Sequence, residues 1–192
     1  MQNREELARH MATGATMEFL FFFGHKPRRE GRVDPSCFSQ WFPRAFVVDG
    51  VHYATAEHFM MAEKARLFKD DAALEKILEV FEPAAAKALG RDVKGFDEAI
   101  WEKARFDAVL RGTLAKFGAH ADLKTFLLST GDRVLVEASP RDKVWGIGMG
   151  AQHPDARTPS KWKGKNLLGF ALMTARAQLA AAAPAAAPAS AT

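Results

Sequence analysis

The stretch "YATAEHFMMAEKA", residues 53–65, sets Glu57, His58 and Lys64 into a segment otherwise suited to a core. Thr55 stands where a hydroxyl caps a helix by accepting from early backbone N–H groups. In the helix predicted over 56–67, Glu57, Met61 and Lys64 share one face at spacings of four and three, and His58 lies on the neighbouring face. Glu57 reads in two ways: as a first-turn acid that complements the helix dipole, or as a carboxylate kept for chemistry. His58 likewise reads as a hydrogen-bonded structural residue or as part of a site.

Three more stretches carry candidate chemistry. In "EASPRDKVWGIGMG" (137–150) a strand ends at Glu137, a Pro turn follows, and Asp142 and Trp145 enter a Gly-rich loop. Gly146, Gly148 and Gly150 permit close approach of backbone to a ligand. Trp145 is either a stacking platform for a heterocycle or a plug in the core, since Trp is usually largely buried. In "KWKGKNLLG" (161–169), Lys161, Lys163 and Lys165 precede a helix that Asn166 would cap. Helix N-termini attract anions through free N–H groups, so this stretch reads as a phosphate site or as a solvated basic loop. In "SCFSQWFP" (36–43), Phe38, Trp41 and Phe42 read as core, and Ser39 and Gln40 as turn residues or as pocket-facing groups.

These residues need elements to position them. "MEFLFFF" (17–23) and "RVLVEAS" (133–139) read as strands, and "FVVDGVHYA" (46–54) as a hairpin around Asp49-Gly50. Helical spacing runs through 71–81, 83–91, 96–117, 121–130 and 166–179. The pattern predicts an α+β fold: a mostly helical compact single domain with a small β-sheet or hairpin. Residues 1–16 are expected to be a flexible segment in which "REELARHMA" can form a short helix. The catalytic domain is expected over 17–179, and the Ala/Pro-rich 180–192 as a disordered tail. No Gly-rich phosphate loop follows a strand, which argues against Rossmann and Walker folds.

Composition narrows the class. The 192 residues are 48% hydrophobic and 26% charged, as in a soluble globular domain. The net charge of +4 suits a phosphorylated substrate, without the dense basic patch of a nucleic-acid binder. The single Cys37 excludes an internal disulfide and fits a reducing, cytoplasmic setting. No secretory signal is expected, and "FLFFF" (19–23) is far shorter than the roughly 20 apolar residues a membrane helix needs. The loop "GHKPRREGR" (24–32) is basic and turn-rich, and reads as mobile.

Taken in order, "CFSQWFP", "FVVDGVHYATAEHFMMAEKA", "AAAKALGR", "EASPRDKVWGIG" and "WKGKNLLGFALMTAR" resemble the NADAR, or YbiA-like, family from about Met17 to Leu179. The resemblance implies N-glycoside hydrolysis without a metal or redox cofactor. One implied activity cleaves a phosphorylated ribosylamino-pyrimidine of the early riboflavin pathway to ribose 5-phosphate and base. A second removes ADP-ribose from guanine, which would make nucleic acid a partner only as a modified substrate; no membrane partner is implied. A third reading is a non-catalytic ADP-ribose or nucleotide-binding module. The "T-x-E-H" start and a Lys seven residues after the Glu fall here on Thr55, Glu57, His58 and Lys64.

On that resemblance Glu57 stabilises the oxocarbenium-like transition state. Lys64 pairs with Glu57 or phosphate, or attacks the opened ribose as a Schiff base. Trp145 stacks on the base, and Asp142 contacts ribose hydroxyls or holds the Trp145 loop. His58, Ser39, Gln40, Gly146 and Gly148 are expected around the substrate, and Lys163, Lys165 and Asn166 around its phosphate. The chain departs from the family at Phe59, Met61 and Glu63, which stand where relatives often carry Tyr, Gln and Gln. Gln40 and Ile147 depart as well, Ile147 where some relatives have an acid. These changes bear on substrate choice.

Overall fold

The computed structural model describes residues 3–182. Strand β1 (Phe19–Phe22) pairs in parallel with β4 (Val134–Glu137), Phe19 opposite Val134 and Phe22 opposite Glu137. Parallel strands need a long crossover, and five of the seven α-helices among the described residues lie in this one. The alternation of β4 divides the core. Val134 and Val136 enter a smaller cluster with Leu7, Ile147, Met149, Trp162 and Phe170. Leu135 enters the larger cluster, with Phe38, Phe59, Phe117 and Leu172. Glu137, two residues on, belongs to the face of Leu135.

Strands β2 (Phe46–Val48) and β3 (Val51–Tyr53) form the expected hairpin. Its turn residues, Asp49 and Gly50, both have positive φ (50° and 78°), as the tight turn between twisted strands requires. Helix α2 (Ala56–Leu67) follows, with the Thr55 hydroxyl capping it from the His58 N–H. It is packed by α3 (Asp71–Glu79), α4 (Pro83–Arg91) and α5 (Glu98–Ala119). It is therefore buried nearly all round, which is why its polar and apolar residues show no clear stripe. A Cβ at Gly90 would collide with Met61 Sδ; the glycine lets α4 lie against α2.

Helix α6 (Ala121–Leu128) and the C-terminal α7 (Leu167–Ala181) complete the larger core. Lys116 on α5 crosses it. Its Nζ donates to Cys37 O at 2.7 Å and Ser39 O at 3.1 Å, tying residues 37–39 to the helix. Burial pushes this amine down to about 8.

Two expectations change. The N-terminal segment is not loose throughout: α1 (Arg4–Ala12) forms, capped by Asn3, and buries Leu7. Arg4 also donates to Trp162 O at 3.0 Å. At the other end α7 runs two residues into the expected tail. The rest of that tail, 183–192, lies outside the described residues.

Candidate active site

A cavity of about 740 Å³ opens between α2, α4, the start of α5 and the loop that follows β4. Its walls are aromatic and cationic. Trp41, Phe96, Trp101 and Trp145 supply rings. Lys64, Lys87, Arg91, Arg105, Arg141 and Lys143 supply positive charge against two acids, Glu98 and Asp142. Arg105 is engaged by Glu102 at 2.7 Å and Glu98 at 3.4 Å. Lys87, Arg91, Arg141 and Lys143 make no ion pair among the described residues. Clustered, unneutralised cations are costly to hold together without an anion.

Glu57 lies in the core side of this region, 2% exposed, with Oε1 unpartnered among the described residues. Burial pushes its carboxyl up to about 7; Lys87, a hydrogen bond from the Trp41 side chain and Arg91 pull the other way, while Asp142 adds to the rise. The Glu57 backbone N–H donates to Gln40 O at 3.0 Å. Gln40 thus supports Glu57 through its backbone carbonyl, while the Ser39 hydroxyl accepts from Trp41 N at 3.2 Å and the Ser39 carbonyl from Lys116. Trp41, expected in the core, is instead a wall of the cavity because this turn swings its ring outward.

Lys64 reaches the cavity wall, but its partner is Gly90 O at 2.7 Å, with Nζ 3.8 Å from the centroid of the Phe96 ring. Burial lowers its pKa, opposed by Glu98. The expected pairing with Glu57 is replaced by this carbonyl. His58 is also diverted. Its Nδ1 lies 2.8 Å from Thr55 Oγ1 and its Nε2 3.1 Å from Val80 O. A carbonyl only accepts, so Nε2 carries the proton and Nδ1 accepts from the hydroxyl. Both nitrogens are spent on bracing α2 against the end of α3, and His58 has nothing left for a substrate.

In the loop after β4, Asp142 and Trp145 both line the cavity. Asp142 Oδ1 accepts from Val144 N at 2.8 Å and Trp145 N at 2.7 Å, so it holds the tryptophan's loop. The glycines serve packing. A Cβ at Gly146 would press on Glu137 O, and one at Gly148 on Lys163 Cβ; Gly148 also has φ 68°. Ile147 is fully buried in the smaller core and does not line the cavity.

The expected phosphate cluster does not assemble. Asn166 is fully buried with φ 55°, and its side chain makes no cap. Its Oδ1 accepts from Glu137 N at 3.0 Å and its Nδ2 donates to Leu135 O at 3.0 Å. Its amide is turned onto β4 and wholly buried, out of reach of an anion in solvent. Lys165 pairs with Glu102 at 2.6 Å, and neither it nor Lys163 lines the main cavity. The cations that do converge include Lys87 and Arg91, four apart on α4. That i,i+4 spacing was the readable signal. A second omission is Glu137, whose signal was an acid ending a wholly apolar strand.

Fold and cavity define a helical α+β domain with a cationic, aromatic cleft over buried carboxylate. The NADAR domain model matches residues 21–180. N-glycosidase R617 of Acanthamoeba polyphaga mimivirus is 43% identical over 166 residues, covering 84% of this chain and 96% of the relative. N-glycosidase YbiA of Escherichia coli K12 is 35% identical, covering 77% and 81%. The NMR structure of E. coli YbiA superposes with a TM-score of 0.67 at 31% identity, over 86% of this chain and 88% of that one. The chain belongs to the NADAR domain family.

Proposed function

We propose that the chain is an N-glycosidase that hydrolyses the C1–N bond of a phosphorylated ribosylamino-pyrimidine, giving ribose 5-phosphate and the free base. The observation that carries this reading is the buried carboxylate of Glu57, left with an unpartnered oxygen beside a cationic, aromatic cavity. Breaking the bond spreads positive charge over C1 and the ring oxygen. A carboxylate already stripped of water meets that charge without reorganising. With a pKa near 7, Glu57 also takes a proton from the attacking water near neutral pH. Trp41 and Trp145 offer faces for the base. Lys87, Arg91 and Arg141 hold the phosphate, taking the role first given to Lys163, Lys165 and Asn166. Lys64 presents a fixed cation at the wall. Its amine, which burial makes easier to deprotonate, is the group that would trap the opened ribose as a Schiff base.

A second reading, removal of ADP-ribose from guanine, is favoured by one observation. A 740 Å³ cavity with six cations exceeds what a single phosphate and one base require. A paired turnover assay separates the two. The purified protein receives the ribosylamino-uracil phosphate in one tube and ADP-ribosylated guanosine in another, each beside Glu57→Gln. Ribose 5-phosphate released in the first supports the primary reading, and ADP-ribose only in the second supports the alternative. Folded protein silent in both would overturn the glycosidase assignment.

A further inference from the structure

Glu137 ends β4 with its side chain on the face of Leu135, toward α2 and the larger core. Its Oε2 is buried and unpartnered among the described residues. The next residues, Ser139 and Asp142, already line the cavity, so this carboxyl sits where the strand enters the site. Its backbone is pinned on both sides: the N–H donates to Asn166 Oδ1 at 3.0 Å, and the carbonyl accepts from Ile147 N at 2.9 Å. The fold thus spends the Asn166 amide on holding the strand, and Glu137 Oε2 has no partner among the described residues. Glu57 and Glu137, each with one buried unpartnered oxygen, come from different elements and both face Lys87 and Asp142, which line the cavity. Buried polar groups are nearly always satisfied, and an exception calls for a reason.

We propose that Glu137 is the proton donor to the departing nitrogen, working opposite Glu57. The inference rests on the N-glycosidase reading of the cavity. Water oxygen bonds to C1 and gives its proton to the Glu57 carboxylate. The C1–N bond breaks with its electron pair going to nitrogen, and nitrogen takes the proton from the Glu137 carboxyl. Products are the free sugar and the N–H base. The resting state returns when a proton passes, through solvent, from Glu57 back to Glu137.

Environment separates the two roles. Glu137 is pushed up to about 8, first by burial and then by Asp142, with Lys87 opposing and Glu57 adding to the rise. Glu57, nearer Lys87, the Trp41 side chain and Arg91, stands at about 7. Glu137 faces two acids and one cation where Glu57 faces one acid and two cations, so of the pair Glu137 holds its proton the more tightly, the division that acid–base pairs use. The groups facing Glu137 are Glu57 from α2, Lys87 from α4 and Asp142 from the loop. Beside it, β1 brings Phe22 and α7 brings Asn166, neither of which titrates.

The test compares leaving groups. Wild type, Glu137→Gln and Glu57→Gln are assayed on the natural-type ribosylamine phosphate and on p-nitrophenyl riboside 5-phosphate, whose phenolate leaves without a proton. Glu137→Gln should lose about 10²-fold or more in kcat on the first, the usual scale of general acid catalysis. It should keep near wild-type kcat on the second, and its alkaline limb on the first should vanish. Equal losses on both substrates, or an unchanged pH profile, would overturn the proposal. A carbon-13 carboxyl titration by NMR needs no turnover. Glu137 should titrate near 8 and move down in Glu57→Gln. Titration in the ordinary range overturns the donor role. A high value in a wild-type protein that hydrolyses neither substrate would support the proton's placement and put the failure on the glycosidase reading instead.

Discussion

Lys116 on α5 and Glu57 on α2 are both almost wholly removed from water, yet the fold meets their hydrogen-bonding needs differently. Lys116 donates to two backbone carbonyls and lies near the rings of Phe42 and Phe117. Glu57 is left with a buried oxygen that accepts from nothing among the described residues. Desolvation penalises both charges. It moves both groups, Lys116 down to about 8 and Glu57 up to about 7. At Lys116 the donors still make bonds that fix residues 37–39, and through them the turn that sets Trp41 and Gln40. At Glu57 one oxygen has no such bond. Buried charge that is satisfied organises the fold; buried charge left short beside a cavity is available to a substrate.

Four substitutions can break or sharpen this contrast. The largest effect is expected from Glu57→Gln, which should lower kcat by about 10²–10³-fold, the scale of losing one preorganised charge-stabilising group. Circular dichroism should show the fold unchanged; a variant with full activity removes Glu57 from the mechanism. Next is Lys116→Ala. Leaving Cys37 O and Ser39 O buried without a donor should cost about 3 kcal/mol in stability, read as a lower midpoint in urea. An unchanged midpoint would mean that the brace contributes nothing.

The third prediction uses pH. Glu57 and Glu137 have folded pKa values raised to about 7 and 8. The native state therefore holds protons that the unfolded chain releases above about 4.5. Stability is greatest below that point and falls as pH rises through 7 and 8, by up to about 1.4 kcal/mol per unit for each group. Glu57→Gln should flatten the fall and melt higher than wild type at pH 8. Lys116 has the opposite sign. Its lowered value of about 8 means the unfolded chain binds the extra proton between there and about 10.5, so its contribution improves as pH rises in that higher window. Thermal melts across pH 5–10 separate the two. The smallest effects contrast the two groups of lysines. Lys87→Ala should raise KM about tenfold, roughly 1.4 kcal/mol of lost binding. Lys163→Ala should change KM less than twofold; a larger effect would restore the loop before α7 as a phosphate site.

Much of the fold was legible because local signals agreed. The Asp49-Gly50 turn, the Thr55 cap and the Pro83 start each have a backbone cause that acts within a few residues; Gly90, inside α4, instead answers to Met61 of α2. Helix limits at 56–67 and 83–91 accordingly fall where the sequence placed them. The longer-range features were not legible in this way. Nothing local says that β1 pairs with β4 across the helical crossover, or that Leu7 docks into the smaller core.

The candidate site divides along the same line. Residue type and spacing raised Glu57, Lys64, Asp142 and Trp145 as candidates and the family resemblance gave them roles; all lie in or beside the cavity region. Spacing could not tell that His58 would give both ring nitrogens to Thr55 and Val80, or that Asn166 would clamp Leu135 and Glu137. Nor could it bring Lys87 and Arg91 across from α4, or set Glu137 near Glu57. Helix caps and turns are decided by bonds a few residues long, so the sequence determines them by itself. Which buried polar atom finds a partner, and which is left without one, depends on segments far apart in sequence meeting, as Lys116 and Cys37 do across 79 residues. Only tertiary packing decides that.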